Sequence, residues 1–359
     1  MEGKTYFKNL DALRFYAAWT VFMYHIVMWL PFPTGTEILK YIRIIISFDN
    51  SGGAAGVNFF FVLSGFLITH LMFEESDSEK GFSLWRFYVR RALRIWPAYY
   101  FTLLLGFILP HLMKYKEVAS PLMYGLFLAN YDNIKTLPTS GILGVQWSVS
   151  VEEQFYLIWP LLFILRRNKK QFAIPILILF ILSTIFLING GNRFHLFSCI
   201  GMLSMGGLAA WFGFFFKDKV IRLLSLVPSK GGALIYFLGG VFIMSGFQLK
   251  KNFEWAEIPY LIVVSLFFVF IILEQCFSEN SPFKAGHNKL FSTLGKRSYS
   301  IYLTHMIAIT LALHLTTNFF FLVISAIVLT FIFSEISYQF VERPFLNLKD
   351  KLPNFYDRK

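Results

Sequence analysis

Apolar residues in this chain come in long, nearly unbroken runs, separated by short polar connections in which most of the charge is gathered. The runs reach about 20 residues, the length at which a helix crosses the hydrocarbon core of a bilayer. The pattern predicts ten membrane-spanning helices, over 10–30, 54–73, 91–111, 147–165, 172–189, 195–216, 231–249, 257–276, 298–314 and 317–340. PLMYGLFLAN, residues 121–130, is too short to span and reads as an interfacial or re-entrant loop. The expected fold is therefore all-α, a polytopic transmembrane helix bundle. It forms a single integral membrane domain over 1–359, with no fixed-period repeat, no low-complexity tail and no attached extracytoplasmic soluble domain.

Composition supports that solvent. Only 15% of residues are charged against 56% hydrophobic, whereas a soluble domain carries about 25% charged residues. A net charge of +12 would suggest nucleic-acid binding in a soluble domain, but here the cations fall between the spans, as the positive-inside rule requires. With ten spans both termini share one side, and that side holds roughly three quarters of the 33 Lys and Arg, so both termini are expected in the cytoplasm. The first run contains Arg14 and His25 and lacks a small-residue cleavage site, so it reads as a retained span. Cys199 and Cys276 lie within apolar runs and read as small buried hydrophobes. Gly52, Gly53 and Gly56 read as a flexible loop. No zinc-type spacing, phosphate loop or nucleophile elbow is present, and no metal is expected.

A charge at the centre of a membrane helix costs roughly 2.5–3.5 kcal/mol on insertion scales, so each one within a span is a candidate functional group. In LDALRFYAAWTVFMYH, Arg14 and His25 are eleven residues apart. At about 100° per residue they return to within about 20° of one face, with Asp11 close to the same stripe. The rise between them is about 16 Å, which puts Arg14 near the cytoplasmic surface and His25 past the midplane. A histidine bonded only to a neighbouring helix is the structural alternative.

In WSVSVEEQFYLIWP, two adjacent carboxylates stand at the external end of a helix that runs inward. Glu152 is about 8 Å deep, similar to His25. It shares a face with Ser148, Tyr156 and Trp159, whereas Glu153 shares one with Val149, Leu157 and Pro160. Glu152 is the candidate site residue and Glu153 is expected to be solvated or structural; both lying at headgroup level is the plainer reading. RFYVRRALRIWPAYY places Arg86, Arg90, Arg91 and Arg94 at the cytoplasmic entrance of the third span, where guanidinium forks suit phosphate oxygens. Anchoring against anionic lipid needs the same residues. In KRSYSIYLTHM, Ser298, Tyr302 and His305 share one face, as a cavity wall or as an interhelical hydrogen-bond network. With Glu153 and Tyr156 they complete the candidates for lining a substrate cavity. Ser64 and Gly65, in FFFVLSGFLIT, are small enough for close helix packing.

Taken in order, LDALRFYAAWTVFMYH, GVNFFFVLSGFLIT, RRALRIWPAYY, WSVSVEEQFYLIWP, SYSIYLTHM and VERPF resemble acyltransferase family three. These are integral membrane acyltransferases that include many bacterial O-acetyltransferases of surface polysaccharides. The resemblance covers most of the chain and implies transfer of an acyl group from cytoplasmic acetyl-CoA or another acyl-CoA to a hydroxyl. The acceptor it implies is a carbohydrate, or a lipid-linked glycan, in a bacterial plasma membrane. Arg14 and His25 match the family's proposed catalytic pair, and Arg91 and Arg94 match its Arg-x-x-Arg motif, proposed to engage the donor; Arg90 belongs to the same cluster. On this reading His25 is a general base on the acceptor hydroxyl or itself the transient acyl carrier, and Glu152 orients the imidazole. A secondary transporter or glycan exporter would also place Arg, His and Glu in its membrane interior, but would be expected to show matching broken helices in its two halves, and none is evident.

Overall fold

The structure is a computed structural model that describes residues 6–30, 52–113, 118–136, 141–166 and 168–356. Among these, all regular secondary structure is helical. Lys40, Arg43, Lys114, Lys116 and Arg167, which enter the charge asymmetry, lie outside the described residues. Each of the ten predicted spans coincides with a helix. Among the described residues seven helices are long and apolar enough to cross a membrane, and a pair bent by 93°, Lys217–Ser225 with Ser229–Gly246, makes an eighth candidate. The two predicted spans outside that set are α1 (Lys8–Trp29) and the helix Gln146–Ile164. Both form helices, and both fall short in apolarity because they carry Asp11, Arg14 and His25 in one case and Gln146, Glu152, Glu153 and Gln154 in the other.

The helices divide into two compact units, one built from Met1–Met28, Phe32–Phe82 and Leu162–Ser298, the other from Trp29–Pro31, Ser83–Leu161 and Tyr299–Lys359. In the first unit, α2 (Gly52–Asp77) begins at the glycines that the sequence assigns to a loop. Gly53 and Gly56 are helical because they let α2 lie against α1: a Cβ at Gly53 would strike the Tyr24 ring, and one at Gly56 would strike Val21, Thr20 and the Ala17 carbonyl. Small residues permit this backbone approach in a bilayer, where apolar side chains gain little by leaving lipid. The same rule explains Gly65, whose added Cβ would collide with the Leu203 carbonyl, and Gly206, whose Cβ would collide with the Val62 carbonyl. Thus Gly65 packs, as expected, with the helix Leu196–Phe215.

The second unit contains α3 (Leu84–Leu112), the short helices α4 (Pro121–Gly125) and α5 (Ala129–Thr136), and α6 (Gln146–Ile164). It closes with α13 (Ser298–Leu315, from Tyr299 onward), α14 (Phe319–Ile336), a π-helical turn at Ser337–Glu342 and α15 (Arg343–Tyr356). In the first unit the intervening helices are α7 (Ala173–Ile188), α8 (Leu196–Phe215), α9 (Lys217–Ser225), α10 (Ser229–Asn252), α11 (Glu257–Phe277) and α12 (Lys289–Lys296). Ser83 caps α3 by accepting from the Arg86 amide at 3.4 Å. The segment 121–130 is too short to span, as expected. It turns at Phe127, whose φ of 55° is in the left-handed region that a bulky residue seldom occupies. Three side chains hold the turn: Gln154 donates to the Phe127 carbonyl at 2.7 Å, Tyr99 to that of Tyr124 at 2.7 Å and Tyr100 to that of Gly125 at 2.9 Å.

Candidate active site

In the first unit the polar centre is the start of α1. Asp11 is only 6% exposed and has two donors: Arg14 Nη1 at 3.0 Å to Oδ1, and the Tyr6 phenol to Oδ2. Burial and the Asp11 carboxylate push the Tyr6 phenol up to about 12, so it remains a donor at ordinary pH. A buried carboxylate with charge-assisted partners on both oxygens is a rigid mount, and here it fixes the side chain of Arg14.

The backbone beneath this mount is clamped as well. Asn9 donates to the Gln275 carbonyl at 2.7 Å and accepts from the Gly286 amide at 2.9 Å. Gln275 accepts from the Ala285 amide at 3.0 Å. A Cβ at Gly295 would collide with the Asp11 carbonyl, so α12 lies directly against α1 at this level. His25, further along α1, is half-buried, with the Tyr24 ring edge-on at 5.2 Å.

In the second unit the centre is the face of α6 opposite α3. Tyr156 donates to Glu152 Oε2 at 2.7 Å, one helical turn apart. The Arg91 guanidinium lies 5.8 Å from the centroids of both the Tyr156 and Phe87 rings, within the range of a cation–π contact. Glu152, Tyr156 and Arg91, chosen separately from the sequence, thus form one chain of contacts.

Glu153 is not solvated, as one arm of the sequence reading held. It is 8% exposed, Trp96 Nε1 donates to its Oε2 at 2.9 Å, and its Oε1 has no hydrogen-bond partner. The helical wheel placed it on the Leu157 face, and Leu157 is indeed 59% exposed; what covers the carboxylate is the indole of Trp96, which periodicity on α6 alone does not reveal.

The remaining arginines differ in their partners. Arg90 Nε donates to the Arg86 carbonyl at 3.2 Å, back along its own helix. Arg94 lies within electrostatic reach of Glu342. Glu342, 4% exposed, accepts from Ser300, whose hydroxyl also shares a 3.0 Å hydrogen bond with Ser337. Glu342 closes the π-helical turn, a geometry often found at functional positions. The sequence marked VERPF only as part of a resemblance, although a carboxylate at the end of an apolar run was signal enough to single it out.

Tyr302 shares a 2.7 Å hydrogen bond with Ser148 and donates to the Val145 carbonyl at 3.1 Å. His305 Nδ1 is 2.6 Å from the Tyr302 carbonyl, and its side chain is fully buried. These contacts make Tyr302 part of an interhelical network between α6 and α13. Ser298, at the first turn of α13, is buried too.

The guanidinium forks of Arg91 and Arg94 have the planar shape that suits phosphate oxygens.

Residues 7–338 match the family described as an acyltransferase domain. Among similar proteins, the peptidoglycan O-acetyltransferase OatA of Listeria monocytogenes is 30% identical over 88% of this chain and 56% of its own length. The O-acetyltransferase OatA of Staphylococcus aureus strain NCTC 8325 is 28% identical over 96% of this chain and 58% of its own. A putative O-acetyltransferase of Staphylococcus aureus strain COL is 27% identical over 95% and 57%. The chain thus spans less than two thirds of the length of these relatives. No solved structure matches.

Proposed function

Because the chain belongs to acyltransferase family three and is a multi-pass membrane acyltransferase, we propose that it moves an acetyl group from cytoplasmic acetyl-CoA to a hydroxyl of a cell-surface carbohydrate. The observation that carries this reading is the match over 7–338, which takes in Arg14, His25, Arg91, Arg94 and Glu152 together. The name of the Listeria relative makes peptidoglycan the first acceptor to test; a lipid-linked glycan of the same sugars is the second. In this reading the chain crosses a bacterial plasma membrane ten times with both termini in the cytoplasm.

Arg91 and Arg94 hold the phosphates of the donor at the cytoplasmic end of α3. Arg14, its side chain fixed by Asp11, supplies a further positive charge for the donor. As general base, His25 takes the acceptor's hydroxyl proton while that oxygen bonds to the acyl carbon. The carbon–sulfur bond of the thioester breaks, and the imidazolium returns the proton to the leaving thiolate. A positioned histidine contributes roughly 10²–10⁴-fold in such a step. In the alternative route the imidazole nitrogen attacks first and carries the acyl group before the hydroxyl takes it.

The test is to incubate purified full-length protein with radiolabelled acetyl-CoA and O-deacetylated peptidoglycan. Base-labile label in the glycan is the expected result. Label in neither peptidoglycan nor a lipid-linked glycan would overturn the reading.

A further inference from the structure

The hydrogen bond between Tyr156 and Glu152 and the seat of Arg91 on the Tyr156 ring have a joint consequence. A tyrosine ring one face of which supports a guanidinium must itself be held, because a ring free to swing about its Cα–Cβ bond would carry that face away from the cation. Only the face attracts the cation; the edge repels it. Tyr156 is held by its hydroxyl, which donates to Glu152 Oε2 at 2.7 Å. The carboxylate and the ring are one helical turn apart on α6, so the bond is local and does not depend on packing elsewhere. Arg91 lies 5.8 Å from this ring and 5.8 Å from Phe87, one turn earlier on its own helix. The guanidinium is thus bracketed by two aromatic rings, of which Tyr156 carries a hydroxyl that fixes it to a carboxylate.

From this geometry we propose that Glu152 acts through Tyr156 to position the Arg91 guanidinium for the donor's phosphates, making Glu152 and Tyr156 positioning residues of the donor site. The proposal rests on the assignment of Arg91 to the donor. It gives Glu152 a role that does not require the imidazole of His25. It also distinguishes the two adjacent glutamates. Glu153 is within electrostatic reach of Arg91 too, but its Oε2 is held by Trp96 and it makes no contact with Tyr156 through a hydrogen bond among the described residues. Glu153 therefore acts on a bound anion only as a negative charge.

The experiment is equilibrium binding of coenzyme A itself to the purified full chain, which reads the donor site without turnover. Tyr156→Phe keeps the ring and loses its anchor, and is expected to weaken binding about three- to tenfold. Tyr156→Leu removes the ring face and weakens it further. Glu152→Ala should match Tyr156→Phe, and the double variant should be no weaker than either single, since both break one chain. Glu153→Gln, by removing a repelling charge, should leave binding unchanged or tighten it. If both glutamate variants tighten binding, Glu152 also acts only as a charge and the proposal fails. It fails too if the two single effects add in the double variant, or if Tyr156→Phe binds like wild type while Arg91→Ala binds weakly. Unchanged binding in Arg91→Ala would instead overturn the assignment of Arg91 to the donor.

Discussion

Helices α7 and α6 are both predicted from apolar runs, and they are held in place by opposite means. The window around α7 has a mean hydropathy of 2.5 and is only 22% buried inside the protein, with Ile174, Leu177, Ile178, Ile181, Leu182 and Ile185 all exposed. Lipid is a satisfactory solvent for those side chains, and the polar contacts of α7 with α8 centre on Ser183, which accepts from the Gly201 amide at 3.1 Å and donates to the Ser198 carbonyl at 3.4 Å. In contrast α6 carries Gln146, Ser148, Glu152, Glu153 and Gln154, none of which lipid can solvate, and each has a protein partner across to another element or along the helix. Unsatisfied polar groups in hydrocarbon cost several kcal/mol each. The polar helix is therefore the one whose position is specified, and the apolar helix the one whose composition is free.

That contrast can be broken at several points. The largest effect is expected where packing admits no side chain at all: Gly206→Val on α8 would drive a Cβ into the Val62 carbonyl and should abolish recovery of monodisperse folded protein. A variant that purifies with an unchanged melting temperature would show that α2 and α8 are not held by close backbone approach. Next is Asp11→Asn, which leaves Arg14 without its charged mount; transfer is expected to fall at least about tenfold with the protein still folded, since a charge-assisted bond contributes roughly 1.5–3 kcal/mol. Then comes Trp96→Phe, which removes the hydrogen bond to the buried Glu153 carboxylate and should lower stability by about 1–3 kcal/mol in thermal unfolding. The smallest effect belongs to α7, where Ile181→Leu on the exposed face should change stability by less than about 0.5 kcal/mol. If Ile181→Leu costs as much as Trp96→Phe, the distinction between a lipid-solvated and a specified helix is wrong.

The same contrast governs what could be read in advance. All ten predicted segments are helices because hydrophobicity over about 20 residues leaves the backbone no other way to satisfy its hydrogen bonds in a bilayer. Arg14, Glu152 and Arg91 could be singled out because charges are costly there, and the structure joins Glu152 to Arg91 through Tyr156. Periodicity on one helix does not know its neighbours, so it leaves Glu153 either solvated or structural; the indole of Trp96, on α3, decides for the buried arm. Gly53 and Gly56 looked like a loop because their role, close contact with α1, belongs to a pair of helices and not to either sequence. Glu342 was passed over for a related reason, since its partners Ser300, Ser337 and Arg94 come from three separate stretches of chain.

The proposed function makes His25, as general base or as acyl carrier, necessary for moving the acyl group from coenzyme A to a carbohydrate hydroxyl. The direct measurement is the rate at which radiolabelled acetyl groups pass from acetyl-CoA to O-deacetylated peptidoglycan in proteoliposomes containing the full chain or its His25→Ala variant, matched for inserted, folded protein. The account predicts base-labile label in the glycan with the wild-type chain and a rate at least about 100-fold lower with His25→Ala. Equal rates for the two proteins would contradict it.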